Sequence, residues 1–312
     1  MSNRMGWVPR RRPVPRPPAA RVAIAPATVL ACLMPAACGS TSAGSAHTSG
    51  TNGAVSVLYA GSLVALMEDH LGPAFSRASG RGYEGFGGGS TEVANEIKGG
   101  VRRGDVFVSA SAKADRALEG PANGGWVSWY STFAASPLVL AYNPHSRLAG
   151  EFRRGVPWYR VLAQNGIRVG RTDPKLDPKG VLTVEAVEGA AGRMHDPALS
   201  RALTSFEVFP ETGLVGRLQS GQLDAGFLYS DEAVGAHLLT VPLAPVGKSA
   251  EYTVTVLNRA QVPSGAAAFV RYLLSAAGSA SLTRNGLDPQ RPRFSGNAAA
   301  VPAGLRGVVG AG

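Results

Sequence analysis

Apolar residues along the chain follow two rhythms that succeed each other. Val55-Ser56-Val57-Leu58-Tyr59 is a short β-rich run, and Leu63, Leu66, Met67, Leu71 and Phe75 then recur at helical spacing. The alternation continues, with strands expected over 105–109, 138–142, 167–170, 224–229, 239–242 and 252–257. Between them the spacing predicts helices over 92–98, 112–118, 158–163, 180–191, 197–206, 212–220, 232–237 and 265–274. Strands alternating with helices predict an α/β fold built on a mainly parallel sheet. No internal repeat breaks that pattern.

Both ends of the chain depart from it. Residues 1–21 are rich in Arg and Pro, and residues 22–37 (VAIAPATVLACLMPAA) form an uncharged apolar run holding Pro26 and Pro35. A basic start, a short apolar stretch and small residues before Cys38 describe a secretory signal over 1–37. The run is shorter than the ~20 residues that cross a bilayer as a helix. Pro35-Ala36-Ala37-Cys38 resembles the lipobox of bacterial lipoproteins, with Pro35 where Leu is usual, so Cys38 is the expected lipid acceptor. Residues 38–53 are Gly-, Ser- and Thr-rich and read as a flexible tether, and 291–312, rich in Pro, Gly and Ala, as a disordered tail. The fold is therefore expected within 54–290, and the protein is expected outside the cell, anchored beside a membrane.

Composition narrows the function classes. With 45% hydrophobic and 17% charged residues in 312, the chain has enough apolar material for a core. Its formal charge of +10 invites a nucleic-acid reading. Six of those charges, Arg4, Arg10, Arg11, Arg12, Arg16 and Arg21, lie in the signal segment, and the remaining basic residues form no stripe. No nucleic-acid partner is therefore expected. Two cysteines exclude a disulfide framework. No GxSxG, GxxxxGK[ST] or HExxH pattern occurs, and the five histidines lack metal-ligand spacing. The sequence thus calls for no cofactor and no resident metal cation, and an exported hydrolase is the weaker alternative to a binding protein.

Candidate chemistry sits in the turns after strands. Ala60-Gly61-Ser62, Gly87-Gly88-Gly89-Ser90-Thr91 and Ser109-Ala110-Ser111 each place small or hydroxyl residues where a helix begins. Backbone N–H groups at helix N-termini, with hydroxyl donors, suit a compact anion without any Lys or Arg. Helix capping alone also accounts for such residues.

The segments AGSL at 60–63, GGST at 88–91, DVFVSAS at 105–111, SPLVLAYNP at 136–144 and PWYRVL at 157–162 resemble the molybdate/tungstate-binding proteins of ABC importers. So do VGRTDPKLDPKG at 169–180, DAGFLYSDEAV at 224–234 and EYTVTVL at 251–257. The resemblance implies a two-lobed, type II periplasmic-binding-protein-like fold with a ligand cleft between lobes. It puts lobe 1 at 54–135 and 243–290, and lobe 2 at 136–242. It implies anion contacts from Ser62, Ser90 (or the N–H of Gly89), the N–H of Ala110, Asp177 and the hydroxyl of Tyr229, with ABC permease subunits as partners. One branch of the family adds two carboxylates to the metal centre; Asp177 matches the first, and Leu228 stands at the second. In the other branch the Asp177 position is apolar. The chain is mixed, so sulfate or another small anion stands beside molybdate and tungstate. An Asp before Pro178 is also a good turn residue, and Asp231 and Glu232 read most simply as the acidic first turn of a helix.

Overall fold

The computed structural model describes residues 53–312. The signal segment, Cys38 and nearly all of the tether lie outside the described residues.

Residues 55–142 build most of the first layer. Strand β1 (Val55–Ala60) leads through a short turn into a π-type segment, Leu66–Leu71, that continues as helix α1 (Gly72–Ser79). Strand β2 (Tyr83–Gly88), helix α2 (Ser90–Lys98), strand β3 (Val106–Ser109) and helix α3 (Ala112–Arg116) follow. The long strand β4 (Trp129–Tyr142) then leaves this layer. The second layer holds α4 (Ala149–Arg153), α5 (Trp158–Leu162), β5 (Val169–Thr172), α6 (Pro178–Met194) and α7 (Pro197–Ser205). It continues with β6 (Glu207–Phe209), α8 (Leu214–Gln219), β7 (Ala225–Tyr229), α9 (Ser230–Gly235) and β8 (Leu239–Pro242). Strand β9 (Ser249–Val256), α10 (Pro263–Leu273), α11 (Ala276–Arg284) and β10 (Asp288–Gly296) return to the first.

The strand order is β2-β1-β3-β9-β4-β7-β5-β6, with β10 and β8 also paired to β4. The two halves of β4 serve different sheets. Its first half pairs with β9 and β10, and its second half, Leu138–Tyr142, pairs with β7 and β8. The chain is thus a two-lobed α/β protein of the periplasmic-binding-protein type, with β4 and the segment between β8 and β9 passing from one lobe to the other.

Alternation along the strands explains the layering. Val55, Val57, Tyr59, Val106 and Val108 face one way and pack with Leu63, Phe75 and Phe269. Leu58 and Phe107 face the other and pack with Val93, Ile97 and Trp126. A sheet with both faces apolar needs helices on both sides, and α1 and α10 cover one face while α2 and α3 cover the other. Asp177-Pro178 and Asp196-Pro197 start α6 and α7 in the same way. Each Asp side chain accepts N–H bonds from the first turn, and each Pro occupies a position whose N–H has no helical partner.

Two expectations are corrected. The sheet is mixed rather than mainly parallel: β1 pairs in parallel with β2 and β3, and β5 with β6 and β7, whereas β3–β9 and every pairing of β4 are antiparallel. Strands that cross between lobes enter each sheet against its direction. The stretch from Arg291, expected as a disordered tail, begins inside β10, which pairs antiparallel with β4 and stacks Phe294 on Trp129. Beyond it Val301, Leu305 and Val309 are buried in the main core, and the Ser131 hydroxyl donates to the Val309 carbonyl at 2.9 Å.

Ending the chain at Asn297 removes those three buried side chains, each worth about 1.5–3 kcal/mol. The truncated protein is expected to unfold at clearly lower urea concentration than the full chain. An unchanged midpoint would show that the terminal segment contributes nothing to the core.

Candidate functional site

Parallel pairing decides which turns meet. In β2-β1-β3, Ala60 pairs with Gly88 and Tyr59 with Val108, so the three strands end on one edge. Ser62, Ser90 and Ala110 follow those ends. In the other lobe β5 and β7 are parallel neighbours, registered Gly170 to Gly226, and deliver Asp177 and Tyr229 from their common edge. Such carboxyl edges are where ligands of open α/β sheets sit.

The two edges touch. The Glu92 N–H donates to the Leu176 carbonyl across the cleft at 2.9 Å. A Cβ added to Gly89 would lie 2.6 Å from the Leu176 carbonyl oxygen, and one added to Gly61 would lie 1.6 Å from Glu211 Oε2. At Gly89 the obstacle is backbone of the opposite lobe, so any side chain there would force the lobes apart, whereas at Gly61 it is the Glu211 carboxylate. Tyr252 on β9 completes the seam. Its hydroxyl shares a 2.8 Å hydrogen bond with Ser62 Oγ, lies 3.4 Å from both carboxylate oxygens of Asp231, and its ring packs edge-on to Tyr229 at 6.2 Å.

Ser62, Ser90, Ala110, Asp177 and Tyr229 are all buried. The structure joins Ser90 to Ala110, whose N–H donates to Ser90 Oγ at 3.0 Å, and links Ser62 to Tyr229 through Tyr252. With the lobes in contact, Ser62, Ala110 and Asp177 line three different cavities. Ala110 lines a groove of about 640 Å³ with Lys113 and Pro178. Ser62 lines a cavity of about 330 Å³ and Asp177 one of about 220 Å³, and Glu211 borders both of these. Tyr229 Oη, Asp177 Oδ2 and Glu211 Oε2 are buried without a hydrogen-bond partner.

The expectation of a cleft without Lys or Arg is corrected by Lys179. Its ammonium is fully buried and bonds Glu211 at 2.9 Å and both oxygens of Glu232 at 2.7 and 2.8 Å, 5.6 Å from the centre of the Tyr229 ring. Glu232 also accepts the Tyr229 N–H at 2.8 Å, so it caps α9 as expected and pairs with Lys179 as well. Burial disfavours the Lys179 ammonium, but Glu211, Glu232 and Asp177 outweigh that and hold its pKa above the usual lysine value. The acids go the other way. Burial pushes Asp177 up to about 6 and both Glu211 and Asp231 up to about 7, and it raises Glu232. Burial likewise lifts the Tyr229 and Tyr252 phenols well above the usual tyrosine value, so both remain O–H donors.

Lys179 and Glu211 escape a sequence reading because their partnership is not local. Glu211 and Glu232 lie 32 and 53 residues from Lys179 along the chain. A lysine in the first turn of a helix ordinarily reads as solvated. Among the described residues, no group of three or more His, Cys, Asp and Glu is arranged to hold a metal ion.

Residues 55–288 match the family described as bacterial extracellular solute-binding protein. The chain belongs to that family. A putative ABC transporter molybdenum-binding protein of Haloferax volcanii is 36% identical over 182 residues, which cover 58% of this chain and 56% of that relative. The molybdate/tungstate-binding protein of Thermococcus kodakarensis is 24% identical over 347 residues, covering 91% of this chain and 95% of the relative. Among solved structures, the periplasmic molybdate-binding protein of Azotobacter vinelandii superposes with a TM-score of 0.61 at 20% identity, over 75% of this chain and 98% of that one. These likenesses establish the solute-binding fold of this family member.

Replacing Lys179 with Met leaves Glu211 and Glu232 buried without their counter-charge, which costs about 3–5 kcal/mol for a pair of this kind. Urea unfolding of Lys179→Met is expected to show that loss, and the triple variant with Glu211→Gln and Glu232→Gln is expected to recover most of it. Equal stability of Lys179→Met and the parent would mean the cluster carries no net charge burden.

Proposed function

We propose that this family member captures a tetrahedral oxyanion, molybdate or tungstate, in the cleft between its lobes and hands it to an ABC permease. The observation that carries this reading is the arrangement of hydroxyl and backbone donors at the strand ends of both lobes. Ser62, Ser90 and Ala110 stand on one edge, and Tyr229, with its buried and unpartnered hydroxyl, stands on the other. The names of the Haloferax, Thermococcus and Azotobacter proteins support the choice of anion.

Each proposed contact has a chemical role. Ser90 Oγ accepts from the Ala110 N–H and keeps its own proton free to donate to the anion. Ser62 exchanges its bond with Tyr252 for one to the anion. Tyr229 Oη, held protonated by burial, donates from the second lobe. Asp177 lies at the N-terminus of α6, where its Oδ1 accepts the Lys179 N–H at 3.3 Å. Charge-assisted hydrogen bonds to an anion are worth about 1.5–3 kcal/mol each. Neutral donors hold a dianion without a competing ion pair, and contact between the lobes excludes water.

The remaining parts of the reading follow the layout of the chain. A signal over 1–37 exports the protein, lipid on Cys38 anchors it, and the tether over 38–53 keeps lobe 1 (54–135 and 243–290) and lobe 2 (136–242) within reach of the permease. The reading assigns no catalytic step.

Thermal melting with molybdate, tungstate and sulfate tests it. The reading expects molybdate or tungstate to raise the melting temperature, by the equivalent of about 2.7 kcal/mol at a hundredfold excess over Kd. Ser62→Ala and Tyr229→Phe are each expected to weaken binding roughly ten- to hundredfold by calorimetry. Absence of any shift with all three anions would refute the anion reading, and unchanged affinity in both variants would refute the placement of the site.

A further inference from the structure

The cleft has a charge problem that neutral donors do not solve. Four carboxyl groups, Asp177, Glu211, Asp231 and Glu232, are buried around the single ammonium of Lys179. Glu232 is fully served: both oxygens meet Lys179, and one also accepts the Tyr229 N–H. Asp231 sits opposite the Tyr252 hydroxyl. Asp177 and Glu211 are each half-served. Asp177 Oδ1 accepts the Lys179 N–H and Glu211 Oε1 accepts from Lys179 Nζ, while Asp177 Oδ2 and Glu211 Oε2 have no partner. These two unpartnered oxygens lie at the seam between the lobes, Glu211 Oε2 against Gly61 and the Asp177 side chain against Gly89. They flank the turns that carry Ser62 and Ser90.

An ionised carboxylate can only accept hydrogen bonds, and so can the oxygens of a fully deprotonated oxyanion. Facing each other in the cleft, the two repel and share no proton. A proton between them changes the arrangement: a carboxyl O–H becomes one more neutral donor to the anion. Resting on the oxyanion reading above, we propose that the anion enters this cleft together with a proton, held between the ligand and the carboxyl groups of Asp177 and Glu211. The proton comes from solvent and returns to it on release, so no other reactant is consumed.

The surroundings of the pair favour this. Besides Lys179, the charged groups facing them are Glu232 and Asp231 from α9, Asp173 from the β5–α6 turn and Glu92 from α2. Arg171 on β5 directs its guanidinium to the Thr172 carbonyl at 3.1 Å. Were all these acids ionised, the one ammonium would leave negative charge in excess before any anion arrives. The ordinary carboxyl range is already exceeded, with burial raising Asp177 to about 6 and Glu211 to about 7. An incoming negative charge raises both further, which is uptake of a proton on binding.

Calorimetric titration of the protein with molybdate and with tungstate, at one pH in buffers of different ionisation enthalpy, measures the coupling. The proposal expects an observed enthalpy that varies with the buffer and reports uptake of about one proton per anion. It also expects affinity to fall by up to about tenfold per pH unit above neutrality. The double variant Asp177→Asn with Glu211→Gln, checked for folding by circular dichroism, should lose both the uptake and the pH dependence, because its amides donate without a titrating proton. Binding that is independent of buffer and of pH in the parent protein would overturn the proposal and leave the oxyanion reading standing. Failure of both anions to bind in every buffer would end the two together.

Discussion

A lysine ammonium shut away from water must carry its counter-charges with it, and Lys179 sets the geometry of the second lobe for that reason. Its partners come from the turn before α8 and from the first turn of α9, so one side chain ties the starts of α6, α8 and α9 together. Through Glu232, which also accepts the Tyr229 N–H, the same cluster fixes where β7 ends and where Tyr229 stands. Through Glu211, packed on Gly61, it sets how closely the first lobe approaches. Two unit charges 4 Å apart interact by about 4 kcal/mol at an effective dielectric of 20, so misplacing one partner is costly. The interaction therefore favours a single arrangement of these turns.

The cleft combines two kinds of polar group with opposite requirements. The strand-end turns of the first lobe offer N–H and O–H donors at helix starts, which suit an anion. The second lobe faces them with an acid-rich cluster whose carboxyl groups burial makes harder to ionise. A cleft of this composition is not a simple positive trap. In our reading, its preference for an anion depends on protonation as much as on hydrogen-bond geometry.

Much of the fold was legible in the chain because its central strands are short apolar runs bounded by glycine or acidic turns. VSVLYA, VFVS and AGFLY read as strands without help, and the strand-to-helix alternation led to an α/β sheet, while the two lobes came from the family resemblance. The edges were not legible. YEGFGG of β2 has three glycines and two aromatics and gave no strand signal, and DPQRPRFSG of β10 has two prolines and read from Arg291 on as tail. Proline is tolerated in β10 because that strand pairs with β4 alone. At the candidate site, Ser62, Ser90 and Ala110 were proposed from strand-end turns and a resemblance, and Tyr229 from the resemblance. Lys179 and Glu211 were not found, since the charge partnership exists only after segments distant in sequence have folded together. Tyr252, read only as the start of a strand, bridges Ser62 and Asp231.

Tungsten scatters X-rays anomalously, so crystals grown with tungstate locate the anion without reference to any assumed pose. The account predicts one strong anomalous peak between the lobes, beside Ala110 and within hydrogen-bonding distance of Ser62, Ser90 and Tyr229, with Asp177 or Glu211 facing it. A peak elsewhere on the molecule, or none with tungstate bound in solution, would contradict the placement of the cleft.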